Sequence, residues 1–444
     1  MADSSTAAGG TALADTLVTA RAGSIAVSKH RIEDLALFGG PRAFPEPLHV
    51  GYPHLGDRGA LRARLDGILD SRRLTNRGPL VREFEHRIAA YTGVRHCIAM
   101  CNATVALEIV TRALGLEGEV IVPAMTFVAT AHALQWQRIT PVFCDIDPRT
   151  QTLDPRQVER LVTPRTTGIV GVHLWGRACD VDGLQAVARA HGLRLVFDAA
   201  HAFGCSYRGR MLGGFGDAEV LSFHATKVLN AFEGGAVLTN DDALAEKVRL
   251  MQNFGFAGQD RVIHIGTNGK MSEMAAAMGL TSLESFDAFV AGNRSRHRAY
   301  RRELTGLPGL RILDVPPGER ANYHYVVAEV DAERFGLARD ELLELLRAEN
   351  VLARRYFYPG VHRMEPYRSL FPHAHLLLPH TERLLRRVLV FPNGEQLDTQ
   401  GIERIAELLH LVHREAGAIR RRLRPLRTSA RPGQGAIRHV HAPH

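Results

Sequence analysis

From residue 96 onward the chain alternates short, almost continuous apolar runs with stretches whose apolar positions recur every three or four residues. HCIAM (96–100), EVIVP (119–123), PVFCDI (141–146), GIVGVHLWG (168–176) and LRLVFD (193–198) predict strands, and TVALEIVTRAL, TFVATAHALQW, DPRQVERLV and VDGLQAVARAHG between them predict helices. Such alternation, with strands apolar on both sides, predicts a parallel sheet covered by helices on both faces. EVLSFH (219–224) and GAVLTN (235–240) are separated by a short, Gly-containing stretch that leaves little room for a crossover helix, so one of the two is expected to run antiparallel and the sheet to be mixed. Asn240 and Asp241 then cap ALAEKVRLM, and a long, Arg-rich amphipathic helix is expected at about 284–304.

After LPGLRIL the pattern changes. NYHYVVAEV, ARRYFYP and RVLVFP read as strands, and RDELLELLRAEN and a segment at 398–414 as helices, which suggests a smaller α+β domain. The expected division is a loose N-terminal extension over 1–30, a large α/β/α domain over 31–290, a small C-terminal domain over 291–418 and a basic, disordered tail over 419–444.

Composition narrows the class. Hydrophobic residues at 45% and charged residues at 23% are ordinary for a soluble globular protein, and no run of eighteen apolar residues offers a membrane span. The net charge of +8 invites a nucleic-acid reading, but seven arginines lie at 420–438 in a segment without acids, so the remainder carries +1. A tail of this kind is more often solvated than a binding arm. Five cysteines without CxxC or metal-ligand spacing argue against a disulfide framework or a metal site, and the N-terminus has no secretory pattern; a reducing, cytoplasmic setting is expected.

Four features of the large domain converge on one chemistry. Lys227, in SFHATKVLNAFEGG, follows a predicted strand, where burial would free its amine for a Schiff base. Asp198 ends the very apolar strand LRLVFD, where ligands bind in open α/β sheets; the alternative role is capping the next helix. The loop CNAT, with Thr104, opens a helix whose N-terminus favours phosphate, or is a plain cap. Phe127 offers a face for a planar ring, or packs in the core. An electron-sink acid, a Schiff-base lysine, a phosphate cradle and a stacking aromatic are the parts that pyridoxal 5'-phosphate requires.

GPLVREFEHRIAAYTGVRH, PAMTFVATAHAL, TPVFCDIDP, GVHLWGR, FDAAHAFG, SFHATK and EGGAVLTN resemble the DegT/DnrJ/EryC1/StrS family of sugar aminotransferases over about residues 31–414. LFGGPRAF, CNATVALEIV, FDAAHAFG and NAFEGGAV are similar, more narrowly, to its desosamine-pathway branch acting at position four of a nucleotide 4-keto-6-deoxyglucose. The resemblance implies the type I fold of pyridoxal-phosphate enzymes. It implies Lys227 as the lysine that binds the cofactor and shuttles a proton, Asp198 as the acid on the pyridine nitrogen and His201 near the ring hydroxyl. Ala103, Thr104 and Ser222 would hold phosphate, Phe127 would stack, and Asn268 would reach the phosphate of a neighbouring subunit, implying a homodimer with shared sites. Asn102 and Ala103 replace the usual Ser and Gly of the loop, and Lys270 the usual Arg.

The implied reaction is transamination from L-glutamate to dTDP-4-keto-6-deoxy-D-glucose, giving dTDP-4-amino-4,6-dideoxy-D-glucose in antibiotic-type deoxyaminosugar biosynthesis. A 3-ketosugar substrate and the galacto epimer are the competing outcomes. The glycines at 209–216 lack the strand-to-helix setting of a nicotinamide enzyme. A regulatory protein with the fold alone, or a related dehydratase with His in place of the lysine, is disfavoured by Lys227.

Overall fold

The structure, a computed structural model, describes residues 27–428. Seven strands build the central sheet: β1 (His96–Met100), β2 (Glu119–Pro123), β3 (Thr140–Cys144), β4 (Thr166–Val172), β5 (Arg194–Asp198), β6 (Ala218–Ser222) and β7 (Gly235–Thr239). Their order is β1-β7-β6-β5-β4-β2-β3, and β7 runs antiparallel to both β1 and β6 while the other pairs are parallel. The mixed sheet read from the sequence is therefore present, and the reversed strand is the later of the two runs.

Nearly every strand residue is buried because helices cover both faces. On one side lie α1 (Arg58–Ser71), α2 (Pro79–Thr92), α5 (Pro155–Leu161), α6 (Val181–His191) and α8 (Glu273–Glu284), which share a core through Phe84, Ile88, Leu184 and Leu280 with Phe197 and Leu221 of the sheet. On the other lie α3 (Ala103–Ala113), α4 (Val128–Gln135) and α7 (Asp242–Met251), packed on Val122, Val196 and Val220. The helix starts follow local chemistry: the side chains of Asn102, Asp180 and Asp241 accept from Val105, Gly183 and Leu244 amides and begin α3, α6 and α7. Gly192, at φ +64, ends α6 where a side chain would be strained.

α9 (Phe286–Leu304) leads into an antiparallel sheet of β8 (Leu310–Ile312), β9 (Val326–Val330) and β10 (Val388–Phe391), covered by α10 (Arg339–Ala348) and α11 (Thr399–Arg414). Asp145, in the loop after β3, accepts from His380 and Thr381 amides at 2.9 and 2.8 Å and from the Thr381 hydroxyl, so a large-domain carboxylate caps a helix of the small domain.

Five expectations change. ARRYFYP is not a continuous strand: within it Arg354 alone bridges a strand, antiparallel to Val390, the two-residue strand Val351–Leu352 just before it pairs with Leu48–His49, and residues 356–358 form an irregular aromatic turn. The strand read in NYHYVVAEV begins only at Val326. The segment from 31 to 48 belongs to the small domain's core, where Ile32, Leu35, Phe44 and Leu48 pack with Tyr300 and Phe391, and not to the large domain. Residues 27–30 are not loose, since Val27 donates to Ala43 O at 3.0 Å and buried Lys29 lies 3.2 Å from the Glu349 carboxylate. The remainder of the expected extension lies outside the described residues.

The fifth concerns the tail. A helix, α12 (Ala416–Thr428), occupies its first part, because Ile419 and Leu423, one turn apart, are buried in the small domain's core. Arg420, Arg421, Arg422 and Arg424 are exposed, with Arg422 paired to Glu33 and Arg420 to Gly336 O. The tail beyond Thr428 lies outside the described residues. Ile419→Ala should lower stability by about 2–5 kcal/mol, the cost of an unfilled core methylene set. A shifted denaturation midpoint with unchanged slope would register it, and an unshifted midpoint would contradict the packing.

Candidate active site

The carboxyl ends of six parallel strands lie along one edge of the sheet, and Asp198 ends the middle one. It is buried, with Oδ2 accepting from the Thr130 hydroxyl at 2.8 Å and Oδ1 from the Ala200 amide at 3.1 Å. Burial pushes its carboxyl above the ordinary carboxylate range, while Thr130, Ala200 and the charge of Lys227 hold it down. The capping alternative is met only locally: the carboxylate turns the chain at 199–200, and no helix follows before β6.

Lys227 sits in the loop that reverses β6 into β7. That loop is closed by backbone bonds from Phe223 to Gly234 O, from Ala231 to Phe223 O and from Lys227 to His224 O, each 2.8 Å. A small pocket brings Lys227 together with Ala200, His201, Phe203, Ser222, Val228, Leu229 and His324. Burial lowers the lysine to about 8, with Asp198 drawing it back upward. His201 lies well below the ordinary histidine range, through burial first and the Lys227 charge second.

Around this pocket stands a ring of aromatics from both domains. Trp175 stacks on Phe357 at 5.7 Å between centroids, and Tyr325 lies 4.7 Å from the His201 ring. Phe127, at the start of α4, is exposed on one face and 6.0 Å from Phe357. Ala103 and Thr104 begin α3, and Gly235 faces them: a Cβ there would stand 2.6 Å from the Ala103 nitrogen. Asn102 spends its side-chain oxygen on the Val105 amide at 2.9 Å, which leaves the first amides of α3 uncapped by it. Asn268 is not brought to this pocket; it is exposed, in the segment that joins α7 to α8, bridged to Asn253. Lys270 donates to Asn253 Oδ1 at 3.0 Å and lies over the Phe254 ring.

Two contributors escape a reading of the sequence. Thr130 stands one turn beyond Phe127 on α4, a spacing that could have marked it. His324 is hidden in NYHYVV, whose alternation reads as strand. Its imidazole is buried and pushed down to about 3, by burial first and Lys227 next, and its Nε2 has no hydrogen-bond partner among the described residues.

Residues 57–410 match the DegT/DnrJ/EryC1/StrS aminotransferase family. The chain belongs to that family. A dTDP-4-amino-4,6-dideoxy-D-glucose transaminase of Shigella dysenteriae is 36% identical over 82% of this chain and 98% of the relative. The structure of DesI in the presence of its TDP-sugar product is 54% identical, with a TM-score of 0.85 over 88% of this chain and 99% of that one. That of Streptomyces DesV (S. venezuelae), in complex with a ketimine intermediate, is 33% identical, with a TM-score of 0.74 over 81% of this chain and 95% of that one.

The protein is thus a sugar aminotransferase of the type I fold, and its cofactor is pyridoxal 5'-phosphate. The pocket fits that group: a buried amine of lowered basicity, a buried carboxylate that accepts from two donors, and a helix start packed against a position where only glycine fits. A buried lysine near 8 is largely unprotonated only above that pH, so capture of added pyridoxal phosphate by cofactor-stripped protein should accelerate as pH rises from about 7 to about 9 and then level. Stopped-flow absorbance would follow it. Acceleration continuing to the ordinary lysine range would contradict the burial argument.

Proposed function

We propose that the protein transfers the amino group of L-glutamate to the ketone of dTDP-4-keto-6-deoxy-D-glucose, giving dTDP-4-amino-4,6-dideoxy-D-glucose for a deoxyaminosugar of antibiotic-type biosynthesis. The observation that carries the transaminase chemistry is the buried pair of Lys227 and Asp198 at one strand edge. The sugar rests on the names of the similar proteins, a dTDP-4-amino-4,6-dideoxy-D-glucose transaminase and an enzyme with a TDP-sugar product.

When bound, pyridoxal phosphate supplies an electron sink for the carbon that loses or gains a proton. Lys227 would hold the cofactor covalently and, once released, would move a proton with an amine whose basicity burial lowers to about 8, close enough to neutral pH for it both to take up and to release one. Asp198 keeps its negative charge against burial and so holds a proton on the ring nitrogen; Thr130 and Ala200 serve it by holding that charge. His201 would face the ring hydroxyl, Phe127 would stack on the ring, and Ser222, Thr104 and the Ala103 amide would hold phosphate beside a helix N-terminus, where the dipole favours an anion.

A homodimer completes the site in this reading. Phe254, Phe256, Val262, Ile263 and Ile265 are all exposed on the same segment that carries Asn268, an apolar patch that water would not favour. A second copy covering it would bring Asn268 to its neighbour's phosphate. Ile265→Asp should shift the protein toward monomer in analytical ultracentrifugation and weaken cofactor retention. A dimer that persists with cofactor retained would remove the shared-site reading. Unpaired Cys97, Cys144, Cys179 and Cys205, all buried, support a reducing, cytoplasmic setting.

Borohydride reduction followed by peptide mapping should leave the pyridoxyl group on Lys227, and Asp198→Asn should retain part of the cofactor while losing at least about a hundredfold in turnover. Assays against 4-keto and 3-keto nucleotide sugars, with proton couplings of the product, test the sugar. Large couplings at both neighbours of the new C–N carbon's proton are expected for the gluco product. One small coupling to the ring proton at position three would assign the galacto epimer instead, and turnover of the 3-ketosugar alone would overturn the substrate.

A further inference from the structure

Between β4 and α6 the chain makes a tight turn, residues 173–179, and Trp175 within it adopts φ +61, a conformation that costs a bulky side chain energy. Such strain persists only where neighbours fix it. Here four contacts do so. The Cys179 amide donates to His173 Nδ1 at 3.0 Å, the Arg177 amide to Leu174 O at 2.9 Å, the Cys179 thiol to Val172 O at 3.0 Å, and the Trp175 indole to Gln151 Oε1 at 3.1 Å. His173 is the clasp that joins the two ends: its own amide donates to Asp198 O at 3.0 Å, its ring stacks on Phe197 at 4.7 Å, and both it and Glu219, 3.4 Å away, are fully buried.

The turn aims one group at the pocket. The Trp175 backbone amide donates to His201 Nδ1 at 3.3 Å, and Gly176, at φ +77, lets the turn lie against the His201 carbonyl, where a Cβ would stand 3.0 Å from that oxygen. An imidazole nitrogen that accepts a hydrogen bond carries no proton, so the neutral ring must bear its proton on the other nitrogen. Protonating both would set N–H against N–H, in a place where burial and the Lys227 charge already disfavour the cation. The ring is also confined in space by Trp175, Tyr325 and Phe357, and Asn322 donates to its carbonyl at 2.9 Å.

We propose that the backbone amide of Trp175, held by the His173-clasped turn, is a positioning group that fixes His201 as its neutral Nε2–H tautomer, so that His201 offers the cofactor pocket a hydrogen-bond donor and never a lone pair. The inference rests on the proposed placement of His201 beside the cofactor's ring oxygen, because a fixed donor there stabilises negative charge on that oxygen. A free tautomer would spend part of its time presenting a lone pair to the same charge. His173 acts through Trp175 and touches no reacting atom. Its Nδ1 also accepts from a main-chain amide, and its Nε2 faces the Glu219 carboxylate at 3.4 Å.

Ring-nitrogen NMR of ¹⁵N-histidine-labelled holoenzyme, repeated after removal of the cofactor, reads the tautomer without turnover. His201 is identified as the signal pair lost in His201→Gln. The expected pattern is one unprotonated Nδ1 and one protonated Nε2, unchanged in both forms from about pH 6 to about pH 8. A protonated Nδ1, or two nitrogens averaged by exchange, would overturn the proposal. In His173→Phe, which keeps the ring on Phe197 but removes the acceptor, the two signals should move toward a common averaged position. Gly176→Ala, which pushes the turn from the His201 carbonyl, serves if that variant does not fold. An unmoved pattern in the folded variant would overturn the clasp. Failure of the sugar assignment would show in product analysis and leave these spectra untouched, so the two readings fail separately.

Discussion

Everything in this site depends on a carboxylate that must stay charged where water cannot reach it. Asp198 is buried at the end of a strand buried on both faces, and no arginine among the described residues pairs with it; its help is a threonine hydroxyl, a main-chain amide and the charge of Lys227. Burying an ion without a full partner costs several kcal/mol, and two hydrogen bonds to a charged group return roughly 3–6. The deficit is what a cationic ring nitrogen can supply. The same burial that makes Asp198 costly lowers the basicity of Lys227, so one electrostatic condition acts on both groups proposed for the chemistry.

The sheet topology makes that condition possible. β5 and β6 run parallel, so Asp198 and Ser222 come to the same edge, and the antiparallel return of β7 folds the lysine loop back over that edge. A helical crossover in its place would carry residue 227 away along the face of the sheet. Gly235, where β7 begins, meets the start of α3 so closely that the phosphate cradle and the lysine loop are joined through one missing side chain.

This much was legible in the sequence because it is recorded locally. Strands buried on both faces are continuous apolar runs, an acid ending such a run is conspicuous, and Asn102, Asp180 and Asp241 announce the helices they start. What was not legible is decided by distant packing. Residues 353–359 have the aromatic and alternating character of a strand, yet only Arg354 bridges a strand, at Val390, and the rings beyond it are drawn toward Trp175 and Tyr325. Ile419 and Leu423 are two apolar positions among seven arginines; composition speaks for the arginines, and only the small domain's core reveals the other face. Ile32 to Leu48 join that core across some three hundred residues, through carboxylate bonds from Glu349 to the Ala36 and Ala43 amides, which no local pattern records.

The small domain therefore does more than cover the site. His324 enters the pocket one residue before Tyr325 and two before β9, and it is held there by Asn322, whose amide group spans the carbonyls of His201 and Phe203 while its oxygen takes the His324 amide. A single asparagine thus ties the small domain's imidazole to the large domain's. Both rings are kept neutral by burial and by the one lysine between them. Two histidines that resist taking up a proton leave Lys227 as the group in that pocket best able to exchange one near neutral pH, which is the property that the proton-transfer role proposed for it needs.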